Sequence, residues 1–125
     1  MKLFDSELKV MELLWVEGEM TAKDIAAKLQ KAIGWSKTTT YTVIKKCLEK
    51  NAIARQEPGF ICRAVITREE ARDYEISELV GKMFQGKTDL LVAKLLDSKR
   101  MKPQELQRLK KMIESAEGGV DHDTD

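Results

Sequence analysis

One histidine, two cysteines and a shortage of apolar runs are the first features of this chain, and each scarcity excludes a class of protein. The longest apolar runs, Leu13 to Val16 and Leu90 to Ala93, are far too short to cross a bilayer. The opening MKLFDSELK lacks the apolar stretch of a secretory signal, so a cytoplasmic protein is expected. Cys47 and Cys62 are not spaced as metal ligands and read as small buried hydrophobes in a reducing compartment. His122 stands in the acidic ending GGVDHDTD, so no metal site is expected there, and residues 118–125 read as a disordered acidic tail. No histidine neighbours a nucleophile, no glycine loop could cradle a phosphate, and no carboxylate pair marks a pocket. An enzyme is therefore not expected, and nothing calls for a cofactor.

Charge is plentiful and unevenly placed. The net charge is only +1. Residues 1–19 hold two basic and five acidic side chains (−3), residues 20–63 hold nine basic and three acidic (+6), and the remainder holds eleven basic and thirteen acidic (−2). A strongly positive block inside a balanced chain points to a polyanionic partner.

Periodicity organises the chain into helices with one β hairpin. Asp5 or Ser6 is expected to cap a first helix with Leu8, Met11, Leu14 and Trp15 inward and Gly18 at its end. Thr21 with Asp24 opens a second, carrying Ile25, Ala26 and Leu29, which closes at Ile33 and Gly34. The segment Thr38 to Val43 is rich in strand formers, yet a strand would put Ile44 on one face with Thr42 and Lys46. A helix over 37–50, capped by Ser36 and ended by a left-handed Asn51, instead gathers Thr40, Val43, Ile44, Cys47 and Leu48 on one face. The helical reading wins because threonine costs only a few tenths of a kcal/mol per position, which packing overrides.

Next, Ile53–Glu57 and Phe60–Ile66 flank Pro58-Gly59 and read as a two-stranded ribbon. Thr67 with Glu70 opens a helix to about Met83 or Phe84, broken by Gly86. Thr88 is expected to cap a short helix, and Pro103 to start the last one. The fold class is mainly α with a small β hairpin. Residues 1–67 form a winged helix-turn-helix and residues 68–117 a three-helix dimerisation domain.

In the order helix, helix, helix, hairpin, the third helix enters the major groove. Its outward face carries Thr38, Thr42, Lys45, Lys46 and Glu49, with Thr39 and Tyr41 on the flanks. Threonine hydroxyls suit phosphate or base edges and their methyls suit thymine, while Lys37, Lys45 and Lys46 neutralise phosphates. Ser36 and the free amides of the helix start suit a phosphate, and Arg55 and Arg63 charge the wing. Tyr41 either stacks on the nucleic-acid backbone or packs on a neighbouring helix, and Trp15 and Trp35 read as core or staple residues. Leu90, Leu91, Leu95, Leu96, Leu106, Leu109 and Ile113 make apolar stripes that a second copy would cover, unless they close into an intramolecular subdomain.

The stretches VMELLW, GWSKTTTYTVIKKCLEKNAI and PGFICRAVI resemble the penicillinase-repressor (BlaI/MecI) family of winged-helix regulators, over essentially residues 4 to 115. The resemblance implies a dimeric repressor of palindromic operators, reading DNA at Lys37, Thr38, Thr39, Tyr41, Thr42 and Lys45. It also implies a signal-activated protease as partner. The family's Asn-Phe cleavage bond is replaced here by Lys94-Leu95, which departs from that specificity. The cysteine-rich metal motif of copper-responsive (CopY-like) members is missing from the tail. A different class of reading is a winged-helix module that binds an acidic protein partner without reading DNA sequence.

Overall fold

The computed structural model describes residues 1–119; the acidic ending with His122 lies outside the described residues from Val120 onward. The elements run α1 (Asp5–Glu17), β1 (Met20–Thr21), α2 (Ala22–Ile33), α3 (Lys37–Glu49), β2 (Ile53–Gln56), β3 (Ile61–Ala64), α4 (Arg68–Met83), α5 (Thr88–Asp97) and α6 (Pro103–Gly119). The fold is mainly helical with a small antiparallel sheet, as expected. Among the described residues no helix is long and apolar enough to cross a membrane.

Contacts divide the chain into two units, Met1–Glu78 and the segment from Leu79 onward. In the first, α1, α2 and α3 pack with the sheet around Val10, Met11, Ile25, Ile44, Cys47 and Cys62, none of which reaches solvent. Burying each large aliphatic side chain there contributes about 1.5–3 kcal/mol. Thr21 caps α2 by accepting the Asp24 amide at 3.1 Å, and Gly34 ends that helix in the left-handed conformation. Ser36 caps α3, and Asn51 turns the chain out of it at φ 61°. Trp15 is half-buried, and its Nε1 donates to Ile66 O at 3.0 Å, tying α1 to the end of the wing.

Four sequence expectations are corrected. The cap of α1 is Phe4 rather than Asp5 or Ser6, because the Glu7 carboxylate accepts the Phe4 amide at 2.7 Å and starts the helix one residue earlier. The buried positions of α1 are Glu7, Val10, Met11 and Leu14, with Leu8 and Trp15 only half-buried. The ribbon is a three-stranded sheet in the order β1-β3-β2, because Met20 pairs with Cys62 and Thr21 with Ile61 along its free edge. Thr88 is the first residue of α5 and no side chain caps that helix. The expected capping box at α4 is present, with Thr67 and Glu70 each accepting the other's amide, at 3.0 and 2.8 Å.

Among the described residues, one buried side-chain polar atom has no partner: Thr40 Oγ1 on the inner face of α3. An unsatisfied buried hydroxyl costs about 1–3 kcal/mol. Thr40→Val should therefore raise the urea midpoint, by about 1 kcal/mol in stability. A lowered midpoint would show that the hydroxyl is satisfied.

In the second unit, α5 and α6 bury nothing. Leu90, Leu95, Leu96, Leu106 and Ile113 are exposed, and Leu91 and Leu109 are half-buried.

Candidate nucleic-acid interface

The outer face of α3 is built by the same helical repeat that makes its inner face. With Thr40, Val43, Ile44 and Cys47 buried, the turn of the helix sends Thr38, Thr39, Thr42, Lys45, Lys46 and Glu49 into solvent. Lys37, Thr38, Tyr41, Thr42 and Lys45 line one shallow concavity of about 400 Å³, with no carboxylate among them. At the helix start, Ser36 Oγ accepts the Thr39 amide at 3.1 Å and donates to Thr39 Oγ1 at 3.0 Å. The amides of Lys37 and Thr38 have no partner within the helix and point outward at the positive end of its dipole.

Pairing sorts the basic block. Lys28 pairs with Glu17 at 3.6 Å, Lys50 with Glu7 at 2.6 Å, and Arg55 with Glu57. Among the described residues, Lys37, Lys45, Lys46 and Arg63 pair with no carboxylate, and neither do Lys23 and Lys31 on α2. An exposed cation without an internal partner is free to exchange its counterions for phosphates.

Three details go beyond the sequence reading. Thr42 Oγ1 donates to Thr38 O at 2.9 Å, so its proton is committed inside the helix, and outward it offers lone pairs and a methyl group. Tyr41 is half-buried against the core and makes a T-shaped contact with Phe60 of the wing turn, ring centroids 5.9 Å apart. Lys37 Nζ stands 5.7 Å from the same tyrosine ring. Strand register separates the two wing arginines. Arg55 opposes Cys62 and so shares the inward face with it, whereas Arg63 opposes Ala54 on the other face. A sequence pattern with apolar residues on both faces could not reveal that division.

The thiols take no part in the interface. Burial pushes Cys47 up to about 12 and Cys62 up to about 11, so neither forms a thiolate at neutral pH. Both are reduced and buried. Among the described residues no group of histidine, cysteine and carboxylate side chains could hold a metal ion.

A family model described as penicillinase repressor matches residues 3–115. The penicillinase repressor of Bacillus licheniformis is 20% identical over 115 residues, covering 90% of each chain. The methicillin resistance regulatory protein MecI of Staphylococcus aureus is 23% identical over 114 residues, covering 90% of this chain and 93% of its own. Among solved structures, the solution structure of the DNA binding domain of the repressor BlaI superposes with a TM-score of 0.52 at 24% identity. It covers 55% of this chain and 87% of that one, a likeness of fold.

Proposed function

The chain belongs to the penicillinase repressor family, and on that premise we propose that it is a homodimeric transcriptional repressor gripping a palindromic operator in the cytoplasm. It is a regulator by family and not an enzyme. Helix α3 lies in the major groove and the wing, residues 53–66, lies beside it. Residues 1–67 read DNA and residues 68–117 hold the dimer. The observation that carries this reading is the outer face of α3, where unpaired Lys37 and Lys45 flank Thr38 and Thr42 in a concavity free of carboxylates, with Lys46 exposed and unpaired on the same helix.

Each part then has a physical task. Lys37, Lys45 and Lys46 neutralise phosphates and release counterions, while the α3 amides and Ser36 seat one phosphate. Thr42 presents a methyl and an acceptor, which suit a thymine methyl or an exocyclic amine of adenine or cytosine. Tyr41 braces the helix against the wing. The uncovered apolar stripes of α5 and α6 meet those of a second copy, which supplies the second reading helix for the palindrome. Proteolysis around Lys94-Leu95, or another signal acting on these helices, would weaken the dimer and lift repression.

Selection of bound sites from a random duplex pool tests the reading and yields the operator. Lys45→Ala should weaken operator binding about tenfold and flatten the log–log salt dependence by about 2 units, since a dimer loses two phosphate contacts. Thr42→Ala should instead change preference at one base pair of each half-site. Unaltered affinity, salt slope and preference in both variants would remove α3 from the interface.

A further inference from the structure

We propose that Glu57 and Phe60 are positioning residues that hold the Arg55 guanidinium ready to clamp a phosphate of the duplex; this rests on the DNA-binding reading above. The guanidinium carbon lies over the Phe60 ring, 3.6 Å from its centroid. Its Nε donates to Glu57 Oε2. The other carboxylate oxygen, Oε1, accepts the Phe60 amide at 3.2 Å, so one oxygen of Glu57 is fastened to the wing turn while the other holds the arginine. Phe60 is itself anchored: its carbonyl accepts the Ala22 amide at 2.9 Å, and its ring meets the edge of Tyr41. Through Tyr41 this platform reaches Lys37 at the start of α3.

The geometry holds the arginine in place while leaving its working end open. Glu57 takes Nε alone, so both terminal nitrogens of the fork remain for a phosphate, which they match bidentately. A side chain already stacked and tethered loses less rotamer freedom on binding than a free one. The Arg55 hydrogen bond, and after it the Phe60 amide, hold the Glu57 carboxyl below the usual carboxylate range, so the tether stays ionised at neutral pH.

Simple charge arithmetic predicts the opposite sign, which makes the proposal sharp. A carboxylate beside a phosphate backbone repels it, so deleting Glu57 should tighten binding if the residue did nothing else. With full-length protein and a duplex carrying the selected site, Glu57→Ala should weaken binding about fivefold, as Arg55→Ala does. Glu57→Gln keeps an acceptor for Nε and should stay within about twofold of the wild type. In the Arg55→Ala background, Glu57→Ala should add no further loss. Binding by Glu57→Ala as tight as or tighter than the wild type overturns the proposal. So does a loss that persists without Arg55, which would assign Glu57 to the turn alone. If the wild-type protein itself binds no duplex in a salt-dependent way, the DNA-binding reading fails first and the positioning role falls with it.

Discussion

Leu106→Glu should leave the winged-helix unit folded and yet abolish repression. In the single chain Leu106 is 41% exposed on a helix that buries nothing, so a carboxylate there costs the monomer little. In the proposed dimer the same position lies within the apolar stripe of α6, together with Leu109 and Ile113, at helical spacing. An unpaired carboxylate buried there costs several kcal/mol, enough to undo an association of ordinary strength. Sedimentation should then report a particle of 14.2 kDa instead of twice that mass. Operator affinity should fall by about 100-fold or more, because two half-sites no longer reinforce each other. Gln107→Glu adds the same charge one residue along, off the stripe, and should keep both the dimer and the affinity. A Leu106→Glu protein that still sediments as a dimer would show that the α6 stripe is not the dimer seam.

The same arithmetic explains why a signal at this end of the chain would reach DNA without touching the reading helix. In the proposed complex each half-site would be held by a handful of lysine–phosphate contacts and threonine contacts, a weak and strongly salt-dependent grip. Joining two such grips multiplies them, and parting them loses the product. In the proposed dimer, any event that parts the α5 and α6 stripes, cleavage near Lys94-Leu95 included, would therefore act as a switch on occupancy.

What the sequence could reveal followed from periodicity, and what it hid followed from exceptions to it. The inner face of α3 was legible because Thr40, Val43, Ile44 and Cys47 recur at three and four, and the outer face is its complement. The α5 and α6 stripes were legible for the same reason. Strand β1 was not, since two residues are too few to display alternation and only the pairing with β3 reveals them. The inward stripe of α1 is hidden from an apolar pattern because its buried set, Glu7, Val10, Met11 and Leu14, begins with a charge. Lys50 belongs to the positive block, yet its charge is spent on that buried carboxylate. Local composition cannot tell a lysine facing phosphate from one facing a carboxylate.

That pair supports the last expectation, Glu7→Ala, which should cost about 3 kcal/mol of stability. Glu7 is only 1% exposed, and its Oε1 takes both the Phe4 amide at 2.7 Å and Lys50 Nζ at 2.6 Å. Lys50 Nζ also donates to Lys2 O at 2.7 Å and stands 4.2 Å from the centre of the Phe4 ring. One carboxylate thus starts α1, and through Lys50 it fastens the end of α3 and the first residues of the chain to that helix. Removing it leaves a half-buried ammonium without its counter-ion and an orphan amide at the helix start. Lys50→Met should be comparably harmful, because it strands the buried carboxylate instead. The double variant Glu7→Ala with Lys50→Met should be milder than the sum of the two, since removing both charged partners removes the desolvation cost along with the attraction. Urea unfolding of the four proteins measures the cycle. Strictly additive losses would mean that the two side chains act independently, and that the end of the reading helix is held by the apolar core alone.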